Sequence, residues 1–120
     1  MIKIKRAFEE PEASDGERYL VDRLWPRGVS KAQAKLTDWL KELAPSDELR
    51  KWFDHDPKRW EEFRERYISE LEKSGNLDLL DNLAQKAQTA SVTLVYAAKD
   101  QEHNNAVVLK NLIEERMPAK

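Results

Sequence analysis

Alternation of apolar and polar residues indicates two short strands in the first quarter of the chain. Residues 2–8 alternate with a period of two, which is typical of a strand with one buried face. After an acidic loop, residues 19–25 predict a second strand, which Pro26 ends. Residues 91–98 are nearly continuous in apolar and β-branched side chains, as expected of a central strand covered on both faces.

Apolar residues at spacings of three and four predict the helices between and after these strands. Ser30, followed three residues later by Gln33, has the pattern of a capping box at a helix start. In chain order, the predicted helices cover about residues 31–43, a short segment carrying Leu49, Trp52 and Phe53, several turns carrying Trp60, Phe63, Tyr67 and Leu71, a segment from Leu77 to Ala87, and about 102–116.

The order of these elements predicts an α/β fold. We expect a small, largely parallel sheet of about three strands, packed with four to five helices. A chain of 120 residues suits a single domain covering residues 1–120, and it contains no repeat or low-complexity linker.

The composition of the chain argues against several classes of protein function. The formal net charge of −2 argues against a domain that binds duplex DNA mainly by neutralising phosphates. The chain has no cysteine, which excludes disulfides and thiolate chemistry, and no apolar run of the roughly 20 residues that a membrane helix needs. We therefore expect a cytoplasmic protein.

The charge is unevenly distributed. Residues 9–17 carry five acids and no base, whereas residues 18–35 carry five bases against the single acid Asp22, a local net of five minus one. This basic segment includes the turn Arg23-Leu24-Trp25-Pro26-Arg27-Gly28, which follows the second predicted strand.

Polar segments follow two of the predicted strands, and ligands of parallel sheets tend to bind at such strand ends. Residues 22–28 follow the second strand and residues 99–105 follow the third. If these strands are neighbours, the two segments share one cleft beside a helix amino terminus, which favours an anion. The candidate ligand-binding residues are Arg23, Trp25, Arg27, Tyr96, Lys99, Asp100 and Asn104.

His103 is the candidate general acid or base of this cleft, because imidazole exchanges protons near neutral pH. Asp22 is the second candidate catalytic residue, and either Asp22 or Asp100 is placed to orient His103 or to bind a ligand hydroxyl. The alternatives are structural: Arg23 pairs with a nearby acid, Trp25 packs in a corner, and His103 is a surface residue or a cap.

Other candidate clusters favour structural roles. Asp54, His55 and Asp56 are adjacent and so point in different directions, which predicts a loop and a helix cap, with no metal site. The aromatic stripe from Trp52 to Tyr67 has helical spacing and predicts core packing over base stacking. Phosphate-loop, dinucleotide and serine-triad motifs are absent from the sequence, which identifies no cofactor.

The chain resembles the bacterial and archaeal family known as domain of unknown function 488, in its short YeaO-like branch. The residues that carry the resemblance are Ser14-Asp15-Gly16, Leu20 to Gly28, Trp39, Ala44-Pro45-Ser46, Leu49-Arg50, Trp52-Phe53, His55, Trp60, Phe63, Tyr67, Leu94 to Asp100, and His103-Asn104-Asn105. They span nearly the whole chain. The family has no established activity, so the resemblance strengthens the fold and the location of the site only.

Longer relatives resemble the chain at the same two strand ends. Their Asp-Val-Arg and Pro-Arg-Ser segments match Asp22-Arg23 and Pro26-Arg27, and the His of their Cys-His-Arg segment matches His103. This chain departs from them at Tyr96 and has no cysteine, so a cysteine-dependent activity is not transferred to it.

Three functions fit these residues. The leading hypothesis is a cleft that binds, and can act on, a small anionic or phosphate-containing molecule such as a nucleotide. One alternative is a non-catalytic adaptor that binds a partner protein through its dipolar surface and an exposed Trp25. The other is a single-stranded nucleic-acid binder with Trp25 as a stacking platform. Whether the protein is an enzyme stays open at this point.

Overall fold

The computed structural model describes residues 1–118, so the last two positions of the predicted domain lie outside it. The described residues form a four-stranded parallel sheet and five α-helices, which confirms the predicted class and adds one strand. In chain order, the elements are β1 (Ile2–Arg6), β2 (Glu17–Leu20), α1 (Lys31–Ala34), β3 (Asp38–Trp39), α2 (Asp47–Phe53), α3 (Trp60–Ser74), α4 (Leu77–Thr89), β4 (Val92–Tyr96) and α5 (Asn105–Arg116).

The sheet has the strand order β1-β4-β2-β3, and every neighbouring pair is parallel. The last strand in sequence therefore lies between the first two. All five residues of β4 are buried, which confirms the prediction of a central strand from its nearly continuous apolar sequence.

One face of the sheet packs against the helices and forms the main core. Val92, Leu94 and Tyr96 of β4 contribute to this core. The aromatic stripe also packs here: Phe63 and Tyr67 are buried, and Trp60 is half-buried against them, which confirms its structural role. Burying one such side chain stabilises the fold by about 1.5–3 kcal/mol.

The other face of the sheet carries a smaller apolar group and a buried ion cluster. Ala7, Leu20 and Val95 pack under the half-buried Trp25, Leu36 and Trp39. Beside them, Asp15 accepts hydrogen bonds from Arg18 Nη1 at 2.7 Å and Lys5 Nζ at 3.2 Å. We call Lys5, Asp15 and Arg18 the buried ion cluster.

The predicted helix over residues 31–43 is wrong. Helix α1 begins at the capping box of Ser30 and Gln33, but it ends after one turn at Lys35, whose φ is +48°. The chain then pairs with the open edge of β2: Thr37 N donates to Arg18 O at 2.7 Å and Leu40 N to Leu20 O at 2.8 Å. Hydrogen bonds to a strand that is distant in sequence thus decide the structure here, because the helical spacing of the apolar residues was only approximate.

The second predicted strand, residues 19–25, is shorter and earlier than expected. Strand β2 ends at Leu20, and Val21 N makes the last main-chain hydrogen bond to β4, with Val95 O at 3.1 Å. Directly after β4, Ala97 N donates to the Asp22 carboxylate at 2.9 Å. A side chain thus replaces the main-chain partner, which releases residues 22–28 from the sheet.

The predicted elements between Pro45 and Gly75 are confirmed with small changes. Ser46 caps α2 by accepting a hydrogen bond from Leu49 N, and Gly75 ends α3 with φ of +77°. Asp56 caps a single 3-10 turn that leads into α3. Over residues 1–118, no helix is both long enough and apolar enough to cross a membrane.

Candidate functional site

The two polar segments meet because β2 and β4 are parallel neighbours, whose carboxyl ends lie at the same edge of the sheet. We call residues 21–28 the first cleft loop and residues 97–104 the second cleft loop. Asp22 links the two: one carboxylate oxygen accepts from Ala97 N, and the other accepts from Asn105 Nδ2 at 3.0 Å. The link fixes both loops relative to the start of α5.

A cleft of about 630 Å³ opens between these loops and α2. Its size lies within the range of about 300–1,000 Å³ that is common for small-molecule sites. The cleft is bordered by both loops, by Arg50 and Phe53 of α2, by His55 of the following turn, and by Phe63 of α3.

Four cationic side chains border the cleft and come from three segments of the chain. Arg23 and Arg27 belong to the first cleft loop, Lys99 to the second, and Arg50 to α2. They face two acids of the cleft, Asp22 and Asp100, so the lining carries four positive charges against two negative ones with histidines neutral. A net positive concave surface attracts anions.

These four cations differ in the hydrogen bonds and ion pairs that they already make within the protein. Arg23 Nε donates to Pro45 O at 3.1 Å and lies 3.9 Å from Asp47 Oδ1, which Arg50 also contacts at 3.3 Å. One exposed acid is therefore shared by two arginines. Arg27 and Lys99 are exposed and make no ion pair within residues 1–118. The structural alternative for Arg23, pairing with an acid, thus applies only in part.

His103 borders the cleft and is oriented by Asp100. Its Nδ1 lies 2.9 Å from Asp100 Oδ2, while its ring meets Trp60 edge to face with centroids 5.2 Å apart. The other oxygen, Asp100 Oδ1, accepts from the amides of Glu102 and His103. The Glu102 hydrogen bond makes the largest contribution to a lowered pKa of Asp100. An ionised carboxylate on Nδ1 leaves Nε2 as the ring nitrogen for an incoming group.

Asp22, the other candidate catalytic residue, has a different position. Its carboxylate is half-buried and bonded to Ala97 N and Asn105 Nδ2. Burial raises the pKa of Asp22 above its usual value, although these hydrogen bonds partly oppose the rise. Among the described hydrogen bonds, Asp22 makes none to His103. The position of Asp22 indicates a structural role, in which its carboxylate connects the two cleft loops.

Three other candidate residues are buried or half-buried, and two of them have their polar groups engaged within the protein. Asn104 is buried, caps α5 by accepting from Val107 N at 3.0 Å, and donates to Asp100 O. Trp25 borders the cleft, but its indole N–H donates to Val29 O at 2.6 Å and its ring packs edge to face on Trp39. Tyr96 is 2% exposed in the main core, and the structure does not bring it to the cleft.

The sequence did not indicate the contribution of α2 and the turn after it. Arg50, Phe53 and His55 all border the cleft. Asp54 and His55 both have φ near +50°, an unusual conformation for two consecutive non-glycine residues. This left-handed turn brings His55 beside Phe53, with ring centroids 6.4 Å apart. The resemblance had marked Arg50 and His55 without giving them a role, and the sequence had assigned His55 to a structural loop.

Metal-binding geometry is not found in the part of the chain that the structure describes. Within residues 1–118, no group of three His, Cys, Asp or Glu side chains lies close enough to hold an ion. Asp54, His55 and Asp56 form a turn and a cap, as the sequence predicted.

Comparison with known proteins identifies the family. Residues 1–120 match the DUF488-N3i family, described as the inactive DUF488-N3 subclade. The chain is 44% identical to the uncharacterized protein YeaO of Escherichia coli over 111 residues, which cover 90% of this chain and 92% of that protein. It is 37% identical to an uncharacterized protein of Mycobacterium tuberculosis over 115 residues, 96% of this chain and 95% of the other. No solved structure matches it. The chain thus belongs to the DUF488 family.

Proposed function

We propose that the cleft between the two loops binds a small phosphate-bearing anion, such as a nucleotide, without turning it over. The observation that carries the proposal is the convergence of Arg23, Arg27, Arg50 and Lys99, from three segments of the chain, on one concave surface. In a protein with a formal net charge of −2, this local excess of positive charge is a specific feature.

The chemistry of the cations favours phosphate. A guanidinium group donates two parallel hydrogen bonds, which match the oxygens of a phosphate or carboxylate. Helix α5 also begins at the cleft, since Asn104 and Asn105 border it. The positive end of a 12-residue helix adds to the attraction for an anion.

The Asp100–His103 pair supports binding in the same cleft. When His103 is protonated, Nε2 donates a hydrogen bond to a phosphate oxygen while Nδ1 donates to Asp100. Among the described hydrogen bonds, no serine, threonine or tyrosine hydroxyl contacts His103, so an activated hydroxyl nucleophile has no support. The description of the matching family as an inactive subclade also favours binding over turnover.

The two alternative functions gain no support from the position of Trp25. Both the adaptor and the single-stranded nucleic-acid hypotheses use Trp25 as an exposed contact. Its ring is half-buried against Trp39, and its N–H donates to Val29 O, just after the first cleft loop. A packed corner is the simpler account of this residue.

Thermal unfolding with inorganic phosphate tests the proposal. We expect phosphate to raise the Tm of the wild-type protein and to raise that of Arg27→Ala much less. Removing one charge-assisted hydrogen bond of about 1.5–3 kcal/mol weakens binding by about ten- to a hundredfold. Because Arg27 is exposed, the variant without phosphate should keep its stability to within about 0.5 kcal/mol.

Lys31→Ala is the matched control. Lys31 belongs to the same basic segment and is exposed, but it does not border the cleft. The control removes the same unit of charge, so it should respond to phosphate like the wild type. Equal shifts in all three proteins, or no shift in the wild type, would contradict the proposal.

A further inference from the structure

The cleft is larger and more apolar than a phosphate group requires. Beyond its cationic side chains, it is bordered by Leu24, Pro26, Pro45, Phe53 and Phe63. A volume of about 630 Å³ leaves most of the cleft unfilled when a single phosphate is bound at the cations. Core packing already accounts for Phe53 and Phe63, but neither the core nor anion binding explains the exposed Leu24 at the same cleft.

Two aromatic rings of the main core reach the cleft with only a small part of their surface. Phe53 and Phe63 stack with centroids 4.3 Å apart, and although both border the cleft they are only 5% and 2% exposed. Such a surface offers van der Waals contact and no hydrogen-bond donor. It favours a flat, apolar part of a ligand and gives nothing to an anion.

Leu24 borders the same cleft with 60% of its surface exposed. The neighbouring Pro26 and Pro45 are buried, so Leu24 is the apolar side chain of this surface that is most accessible to a ligand. A single exposed leucine is common on protein surfaces. Here it lies beside the apolar part of the cleft, and a bound ring would cover it.

Two polar side chains lie near the apolar surface. One is hydrogen-bonded within the protein, and the other is placed to contact the edge of a bound ligand's ring. Each oxygen of Asp22 accepts a hydrogen bond, one from Ala97 N and the other from Asn105 Nδ2. His55 is exposed at the cleft next to Phe53, and it lies near enough to Asp22 to affect the pKa of that carboxyl. His55 thus offers an imidazole beside the aromatic surface.

We propose that the ligand of the cleft is a nucleoside monophosphate, with its base on the apolar surface of Leu24, Phe53 and Phe63 and its phosphate at Arg27 and Lys99. This inference rests on the proposed anion binding, which accounts for the phosphate, and it adds the base as the apolar part of the ligand. A base is flat and weakly polar on its faces, and a phosphate is joined to it by a ribose, so one molecule satisfies both parts of the cleft. The same chemistry occurs in a free mononucleotide and at the 5′-phosphorylated end of a nucleic acid.

Isothermal titration calorimetry with four kinds of ligand tests the inference. The ligands are inorganic phosphate, adenosine, the four ribonucleoside 5′-monophosphates, and a 5′-phosphorylated tetranucleotide. We expect at least one monophosphate to bind at least about tenfold more tightly than phosphate, because its base buries apolar surface. Its binding should also show a more negative heat-capacity change than phosphate binding. Tetranucleotide binding tighter than that of every monophosphate would assign the site to a nucleic-acid end.

Leu24→Ala provides the residue-level test, and Phe8→Ala is its control. Both side chains are exposed, at 60% and 51%, but Phe8 does not border the cleft. We expect Leu24→Ala to weaken monophosphate binding by about threefold or more while leaving phosphate binding unchanged. Phe8→Ala should change neither.

The possible failures are distinguishable. If phosphate binds as tightly as every monophosphate, or if Leu24→Ala affects phosphate and monophosphates equally, the inference is overturned while the proposed anion site stands. If neither phosphate nor any monophosphate binds, both proposals are wrong.

Discussion

The buried ion cluster and the cationic cleft use the same residue types in opposite ways. In the cluster, Arg18 is 3% exposed and its Nη1 and Nε donate to Asp15 and to Ala34 O. At the cleft, Arg27 is exposed and makes no ion pair within residues 1–118. Basic residues only nine positions apart in sequence thus have different surroundings.

The difference shows how burial separates structural charges from candidate functional ones. A buried ion must be paired, because removing it from water costs several kcal/mol. In the cluster, Asp15 pairs with both Arg18 and Lys5, and Arg18 Nη2 is the buried side-chain nitrogen of residues 1–118 that has no hydrogen-bond partner. The cleft cations keep much of their hydration and have donors available, so they can exchange water for a ligand at small cost to stability.

The largest expected effect is the loss of the central acid of the cluster. Asp15→Ala leaves Arg18 and Lys5 without their shared partner, and we expect the free energy of unfolding in urea to fall by about 3–5 kcal/mol. Asp47→Ala is the matched control, since Asp47 is the acid shared by Arg23 and Arg50 but is exposed. Its loss should cost no more than about 1 kcal/mol. Similar losses in both variants would remove the distinction between the two regions.

An intermediate effect is expected for Asn104, which the sequence suggested as a ligand-binding residue and the structure shows as the cap of α5. Asn104→Ala removes the acceptor for Val107 N, and we expect a loss of about 1–2 kcal/mol in urea unfolding. Asn104→Asp keeps an oxygen at the same place and should recover most of the loss. If both variants are equally unstable, the cap is not what Asn104 contributes.

The smallest effects are pH dependences of opposite sign in the two regions. Burial raises the pKa of Asp15, but hydrogen bonds from Glu12 N, Lys5 and Arg18 outweigh it, and the pKa lies below its usual value. Asp15 therefore adds stability above about pH 4, and this stability is lost as the pH falls through the lower folded pKa. Asp15→Asn should flatten the acid loss of stability below about pH 4.

Asp22 changes the stability with pH in the opposite direction to Asp15. Burial raises its pKa in the folded protein, so the folded state binds this proton more readily than the unfolded state. Its contribution to stability decreases as the pH rises from about 4 through the folded pKa. In urea titrations just above pH 4, the stability of Asp22→Asn should therefore rise more steeply with pH than that of the wild type. A change of slope in the same direction for both variants would contradict the assigned shifts.

Elements whose hydrophobic pattern is regular over the whole element were predictable from sequence. The alternation in β1, the continuous apolar run of β4 and the stripe of α3 each gave the correct element, because burial of one face or both faces is encoded directly in residue order. The location of the cleft was also predictable, since strand ends of parallel sheets converge. The short segment from Lys35 to Leu40 was mispredicted, because its hydrogen bonds are made with β2 and leave little local pattern.

By itself, the sequence determined the α/β class, the central strand and the two loops that border the cleft. Only the tertiary structure decided which charges are available there. Arg18 and Arg27 are alike in sequence, but folding places one beside Asp15 and the other at the cleft. Arg50 and His55 reach the cleft through α2 and a left-handed turn. Such placement depends on contacts between distant segments, whereas residue order encodes only local periodicity.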